Sequence, residues 1–434
     1  MASSTAASGT RGTPIAGAQP SASGLSLLQL LKPEVLDDPY PFYAKVREQG
    51  PVRWDAFLHS WVVTGYADCV TVLTKYKASR TPRPEQLEQM GLAALGPYAE
   101  AMLKQMMFMD APGHTRLRAL CSVAFTPRRV EALREHIQAI ADDLLDKIVR
   151  GQTKGIADLV EEFAAPFPAI VTTALLGIPA GDHPRLKVLS TNFAELMGNF
   201  DHDPDRLRGS IASLRELQRY FQFVIDEQRS VPREGLISSL LTAEIDGGRL
   251  SDEEIIANLI LMLVGGLEET SNLIGSGTLT LLRNPPSLAM LREQPLIAAS
   301  AVEELLRYES PTQHTGRIAP EDAELGGRQV RKGDSLTVVL AAANRDPLRF
   351  PDPDRLDLMR TDNRHLAFGW ASHYCFGSPL SRMSGQVAFN SLLGRLPNLA
   401  LKTTPAWRQN MGMRGLSSLL VTFGASSENP AAGV

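Results

Sequence analysis

The stretch Phe368-Gly369-Trp370-Ala371-Ser372-His373-Tyr374-Cys375-Phe376-Gly377 governs how the rest of the chain is read. One cysteine lies in a glycine-flanked loop, with no second cysteine near enough to give the spacing of a zinc site. Glycine has no Cβ, so such a loop can bring its backbone close to a bound group. Its peptide N–H groups can hydrogen-bond a thiolate and set how much electron density the sulfur donates to a metal. The run from Leu380-Ser381-Arg382-Met383 onward reads as a helix whose N-terminal end favours an anionic sulfur. Together these features point to Cys375 as an axial thiolate on a heme iron. A lone cysteine is most often a buried structural thiol, and Cys69 and Cys121 are read that way. For Cys375 that reading gives way once other segments fall into a matching order.

Composition bounds the alternatives. The 434-residue chain is 44% hydrophobic and 21% charged, the balance of a soluble globular protein. A net charge of −4 argues against a general nucleic-acid or anionic-membrane surface. Three cysteines, an odd number, describe no disulfide framework and fit a reducing cytoplasm. Residues 1–24 are rich in Ala, Ser, Gly, Thr and Pro and carry one charged side chain, Arg11. They lack the apolar core of a signal peptide or membrane anchor and read as a disordered leader. The tail 425–434 reads the same way. The longest apolar run, Leu259–Leu267, is too short to span a bilayer. No linker-like break divides residues 25–424, so one large domain is expected, in a soluble cytoplasmic monomer.

Helical periodicity dominates the interior. Apolar residues at Val130, Leu133, Ile137, Ile140, Leu144, Leu145 and Ile148 predict an amphipathic helix over Val130–Val149, with Thr126-Pro127 as its start signal. Arg206–Glu227 and Asp252–Leu282 also read as helices. The second opens on Ser251 with Glu254 three residues on, a capping box, and is apolar on nearly every face, as a buried helix is. Val52–Trp54 and Trp61–Thr64 predict a hairpin; Ser335–Val339 and Leu419–Phe423 predict further strands.

The Cys375 loop resembles the heme loop of the cytochrome P450 family, F-G-x-G-x-H-x-C-x-G-x-x-L-A-R. Ala371 replaces the middle glycine and Ser381 the usual alanine; both are small enough for the loop to survive. The resemblance covers roughly residues 25 to 424 and includes Leu175-Leu176-Gly177-Ile178-Pro179. It implies a mainly α, single-domain P450 fold with small β-sheets and a long central helix over heme b (iron protoporphyrin IX). Cys375 would ligate the iron, with Phe368, Gly369 and Gly377 shaping the loop. His114 and Arg118, four apart on one helix face, would meet the heme propionates, joined by Arg317 and His373. Glu304 and Arg307 match the family's E-x-x-R, and Phe350–Arg355 matches the segment supplying a third member, here Arg355. Such a buried cluster is structural rather than catalytic.

The long helix departs from the family pattern A/G-G-x-D/E-T at Gly265-Gly266-Leu267-Glu268-Glu269-Thr270. Glu268 takes the place of the acid and Glu269 that of the threonine. Desolvation above an apolar heme pocket would raise the pKa of Glu269, letting it donate a proton toward bound dioxygen or, ionised, accept one from hydrogen peroxide and return it. The two glutamates project about 100° apart, so they are not a shared-proton dyad. Gly265-Gly266 permits close approach to the porphyrin or a local widening, which would turn Thr270 toward the oxygen site. Leu261, Val264, Gly265 and Gln313 fall where the family lines its substrate pocket. The resemblance implies a monooxygenase acting on a small apolar molecule, with electrons from a separate ferredoxin or flavodoxin. A peroxide-driven peroxygenase using Glu269, and a non-catalytic heme-thiolate sensor, are the alternatives.

Overall fold

The computed structural model describes residues 24–151, 155–196 and 204–424; the expected leader, apart from Gly24, and the expected tail lie outside them. The architecture is mainly helical with small sheets, as expected. The strands and helices that position the site are β1 (Val52–Asp55), β2 (Ser60–Val63), α1 (Gly113–Ala124), α2 (Arg134–Gly151), α3 (Pro166–Leu176) and α4 (His183–Ala194). They are followed by α5 (Pro204–Ser230), α6 (Asp252–Val264), α7 (Thr270–Arg283), α8 (Ala298–Tyr308), β3 (Thr315–Ile318) and β4 (Ser335–Val338). The last are α9 (Ser378–Arg395), β5 (Ala406–Trp407) and β6 (Leu416–Ser418).

The sequence's single helix over Asp252–Leu282 is divided. A π-helical turn occupies Gly265–Glu269, between α6 and α7. The capping box is present: Ser251 Oγ accepts from the Glu254 N–H at 3.2 Å, and Glu254 Oε2 accepts from the Ser251 N–H at 3.0 Å. The wide turn falls at the glycine pair, where the helix is weakest. A Cβ at Gly266 would lie 2.6 Å from Thr172 Oγ1, so α3 touches the turn there. The expected helix over Val130–Val149 also breaks, at Leu133. A short helix, Pro127–Ala132, ends there after a start in which Thr126 Oγ1 accepts from the Arg129 N–H at 3.3 Å. The face of α2 predicted to be apolar is the one it buries, through Ile137, Ile140, Leu144, Leu145 and Ile148.

Strands β1 and β2 form the predicted hairpin, and β4 joins β2 in parallel, with Trp61 opposite Leu336 and Val63 opposite Val338. β3 closes the four-stranded sheet antiparallel to β4. β5 and β6 form a C-terminal hairpin. Residues Leu420–Thr422 pair with Ile156–Asp158 and Ala400–Leu401. One hydrophobic core joins α2, α7, α8 and α9; a second joins α4, α5 and α6. No helix among the described residues is long and apolar enough to cross a membrane.

Candidate active site and cofactor cradle

The loop before α9 holds its shape through its own backbone. The Cys375 N–H donates to the Phe368 carbonyl at 2.7 Å, and Gly369 turns the chain at φ 71°. Ala371 also sits in the left-handed region, at φ 55°, which costs a residue with a Cβ on the order of 1 kcal/mol. The departure from the family's glycine is thus tolerated but strained. Arg118 on α1 donates to the Tyr374 carbonyl at 2.8 Å, and the rings of Phe125 and Phe376 pack at 4.7 Å. Burial raises the pKa of the Cys375 thiol; the Gly377 backbone N–H, hydrogen-bonded to the sulfur, pulls it back down. On the helix side, Arg382 forks onto Glu303 at 2.7 and 2.9 Å and covers the Phe368 ring at 4.5 Å.

Next to this loop, basic side chains converge with little to neutralise them. The His114 and His373 rings lie 4.1 Å apart; burial and then the Arg118 charge depress His114, while burial and then His114 and Arg317 bring His373 to about 4. Arg317 on β3 is lowered to about 10 by burial, although Asp110 pulls it back up. Arg80, over the Phe108 ring at 4.5 Å, is lowered to about 9 by burial and by Arg317. His114 Nε2 and Arg317 Nε are buried without a hydrogen-bond partner. A flat dianion would supply what this cluster lacks: negative charge and acceptors for buried donors. Among the described residues no group of three or more His, Cys, Asp or Glu side chains could cage a metal unaided. A single thiolate beside a basic cluster therefore suits a metal carried in an anionic macrocycle. Of the expected cradle residues, His114, Arg118, Arg317 and His373 converge; Arg80 was missed, because nothing in its local sequence marks it.

Glu268 and Glu269 separate as the helix geometry predicts. Glu268 is buried in a polar network: Thr191 Oγ1 of α4 donates to its Oε1 at 2.7 Å, and Arg408 Nη1 donates to its Oε2 at 2.7 Å. Glu269 turns the other way. Its Oε2 is buried without a partner, and the Thr312 hydroxyl hydrogen-bonds its carboxyl. Desolvation raises it to about 7, with the Glu268 charge adding to the shift and Thr312 and Arg408 opposing it. The Glu269 charge also raises the Cys375 thiol, so the two groups lie within electrostatic reach of one another. Thr270 is buried at the first position of α7. Gly265 meets nothing within 4 Å of a built Cβ, and Leu261 and Val264 join the apolar core of α4 and α5.

Gln313 commits its amide to neighbouring protein groups: its Oε1 accepts from Tyr43 Oη at 2.7 Å and its Nε2 donates to the Ser310 carbonyl at 2.6 Å. Both ends of the amide are spent on the protein. The third member of the Glu304–Arg307 cluster is Arg360, not Arg355. Arg307 forks onto Glu304 with two bonds of 2.8 Å, and the Arg360 Nε lies 3.2 and 3.3 Å from the two carboxylate oxygens. Arg355 points outward, its side chain 68% exposed and paired with Asp357 at 3.3 Å; only its carbonyl reaches the cluster, accepting from Arg307. Glu303, four residues from Arg307, is committed instead to Arg382 and His365.

A family model described as Cytochrome P450 matches residues 59–296 and 286–418. The chain is 39% identical over 401 residues to the cytochrome P450 monooxygenase PikC of Streptomyces venezuelae, covering 89% of this chain and 91% of that protein. It is 36% identical over 397 residues to the polyketide biosynthesis cytochrome P450 PksS of Bacillus subtilis (strain 168), covering 89% of this chain and 96% of the other. Among solved structures, P450BioI in complex with a hexadec-9Z-enoic acid-ligated acyl carrier protein matches with a TM-score of 0.84 at 35% identity, covering 90% of this chain and 99% of that one. Fold, thiolate loop and matches agree: the chain belongs to the cytochrome P450 family of heme-thiolate monooxygenases.

Proposed function

We propose that this chain binds heme b through Cys375 and inserts one atom of dioxygen into a small apolar substrate, with Glu269 managing the protons. A separate ferredoxin or flavodoxin in the cytoplasm would deliver the electrons singly. The observation carrying this reading is the Glu269 carboxyl: buried, one oxygen unpartnered, and raised to about 7 by desolvation. At neutral pH both of its protonation states are populated, so it can give a proton and recover it. When bound, the heme supplies the electron storage and oxygen activation. His114, Arg118, Arg317, His373 and Arg80 would meet the two propionates, while Phe368, Gly369 and Gly377 hold the thiolate loop. Leu261, Val264 and Gly265 would form an apolar wall for the substrate, with Thr270 behind Glu269. Because PksS is named for polyketide biosynthesis, polyketide-type molecules are the substrates to try first.

The Glu269 value near 7 also favours a second reading, in which the carboxylate takes a proton from hydrogen peroxide and returns it to the departing oxygen, with no reductase. The test compares Glu269→Gln and Glu269→Thr with the parent, using dioxygen with a ferredoxin system and, separately, hydrogen peroxide. Dioxygen turnover retained in Glu269→Thr but impaired in Glu269→Gln supports the first reading. Peroxide turnover lost in both variants supports the second. Unchanged turnover in Glu269→Gln under both oxidants would overturn the role of Glu269.

A further inference from the structure

Glu268 has a cationic partner that no motif announces. Arg408 follows β5 in the C-terminal hairpin, far from the long helix in sequence. Its backbone N–H donates to the Gly415 carbonyl at 2.9 Å, closing the hairpin, and Gly415 lies against α7. A Cβ at residue 415 would stand 1.8 Å from Asn272 Oδ1, so the approach requires glycine. That contact lets one guanidinium reach two points on the helix: Nη1 to Glu268 Oε2 at 2.7 Å and Nη2 to Asn272 Oδ1 at 3.0 Å. The other Glu268 oxygen is taken by Thr191. Both Glu268 oxygens therefore accept bonds, the arrangement of an ionised carboxylate.

We propose that Arg408 is the positioning residue of the distal acid pair: by clamping Glu268 as a carboxylate, it confines the pair's exchangeable proton to Glu269. This rests on the reading of Glu269 given above. Among the described residues, Arg408 from the hairpin and Cys375 from the thiolate loop interact electrostatically with Glu269, with the Thr312 hydroxyl beside it. Among the described residues, Arg408 is the cation bonded to Glu268, and its charge also lowers Glu269. Without it, Glu268 keeps only the Thr191 hydroxyl in a buried site, and protonation becomes the cheaper way to remain there. Once Glu268 is neutral, it no longer raises Glu269.

The test is infrared spectroscopy of the protonated-carboxyl band in the ferric holoenzyme, titrated through neutrality in the parent, Glu268→Gln, Glu269→Gln, Arg408→Gln and Arg408→Lys. The parent should show one band titrating near neutrality that is absent from Glu269→Gln and kept in Glu268→Gln. Arg408→Gln should gain a second band at neutral pH that disappears in the Arg408→Gln/Glu268→Gln double variant, and Arg408→Lys should restore the parent spectrum. A parent-like spectrum in folded, heme-loaded Arg408→Gln would overturn the clamp. Failure of the Glu269 reading would instead appear as Glu269→Gln turning over like the parent, a result independent of where the infrared bands lie. Gly415→Ala supplies a second perturbation: pushing the hairpin off Asn272 should reproduce the extra band with the guanidinium still in the chain, and its absence there counts against the clamp.

Discussion

Arg360 and Arg355 offer a direct contrast, because the sequence pattern pointed to one and the geometry picks the other. The Arg360 side chain is 9% exposed and directs Nε at both oxygens of a fully buried Glu304, while its Nη1 donates to the Pro351 carbonyl at 3.0 Å. Replacing it with alanine leaves the exposed Pro351 carbonyl to water and removes one of the two cations on Glu304. Arg307, Asn363 at 3.1 Å and the Asp357 N–H at 2.9 Å still satisfy the carboxylate. The cost should therefore fall below that of breaking a buried pair outright, at about 2–3 kcal/mol. Arg355→Ala removes an exposed ion pair at 3.3 Å and should cost less than about 1 kcal/mol. Urea unfolding at matched heme loading reads both variants. A midpoint for Arg355→Ala as low as that for Arg360→Ala would refute the assignment.

Other perturbations follow from the same geometry. Ala371→Gly should raise the urea midpoint, by about 0.5–1 kcal/mol in stability, because it relieves a left-handed alanine at some cost in unfolded-chain entropy; a lower midpoint would contradict the strain. Gly266→Ala should cost about 1–3 kcal/mol through collision with Thr172, and adding Thr172→Ala should recover much of it in a double-mutant cycle. The carboxyl of Glu269 is raised in the folded protein from about 4.5 to about 7. Its contribution is therefore fully present below the lower value and lost as pH rises through the upper one, up to about 3 kcal/mol. Glu269→Gln should flatten the fall in stability across that window. Arg317→Ala should weaken heme retention, measured as transfer to apomyoglobin, because it removes a buried cation with an unpartnered Nε; retention equal to the parent would remove Arg317 from the cradle.

The parts legible in sequence were those written in local spacing. The Cys375 loop, the Ser251 capping box, the β1–β2 hairpin and the opposed directions of Glu268 and Glu269 all follow from a few consecutive residues. The parts that escaped depend on where distant chain lands. Arg408, Arg80 and Thr312 reach the site only through tertiary packing, and none stands in a pattern that flags it. Arg360 lay five residues beyond the expected arginine, a distance at which an irregular loop reverses its side chains without any periodic signal. The bond from Tyr43, in an early helix, to the Gln313 amide was likewise invisible in local spacing. The π turn was one of two outcomes the glycine pair allowed, and Thr172 on α3 is what packs against it.

The parallel pairing of β2 with β4 has a consequence for synthesis. Val63 waits for Val338, 275 residues later. At about 5–20 residues per second, the β1–β2 hairpin spends roughly 15–55 s with its inner edge open before its partner leaves the ribosome. An unpaired strand edge is a template for any other extended chain nearby. Cotranslational folding thus leaves an aggregation-prone interval that native stability does not govern, and substitutions along Ser60–Val63 should alter yield in the cell before they alter the folded enzyme.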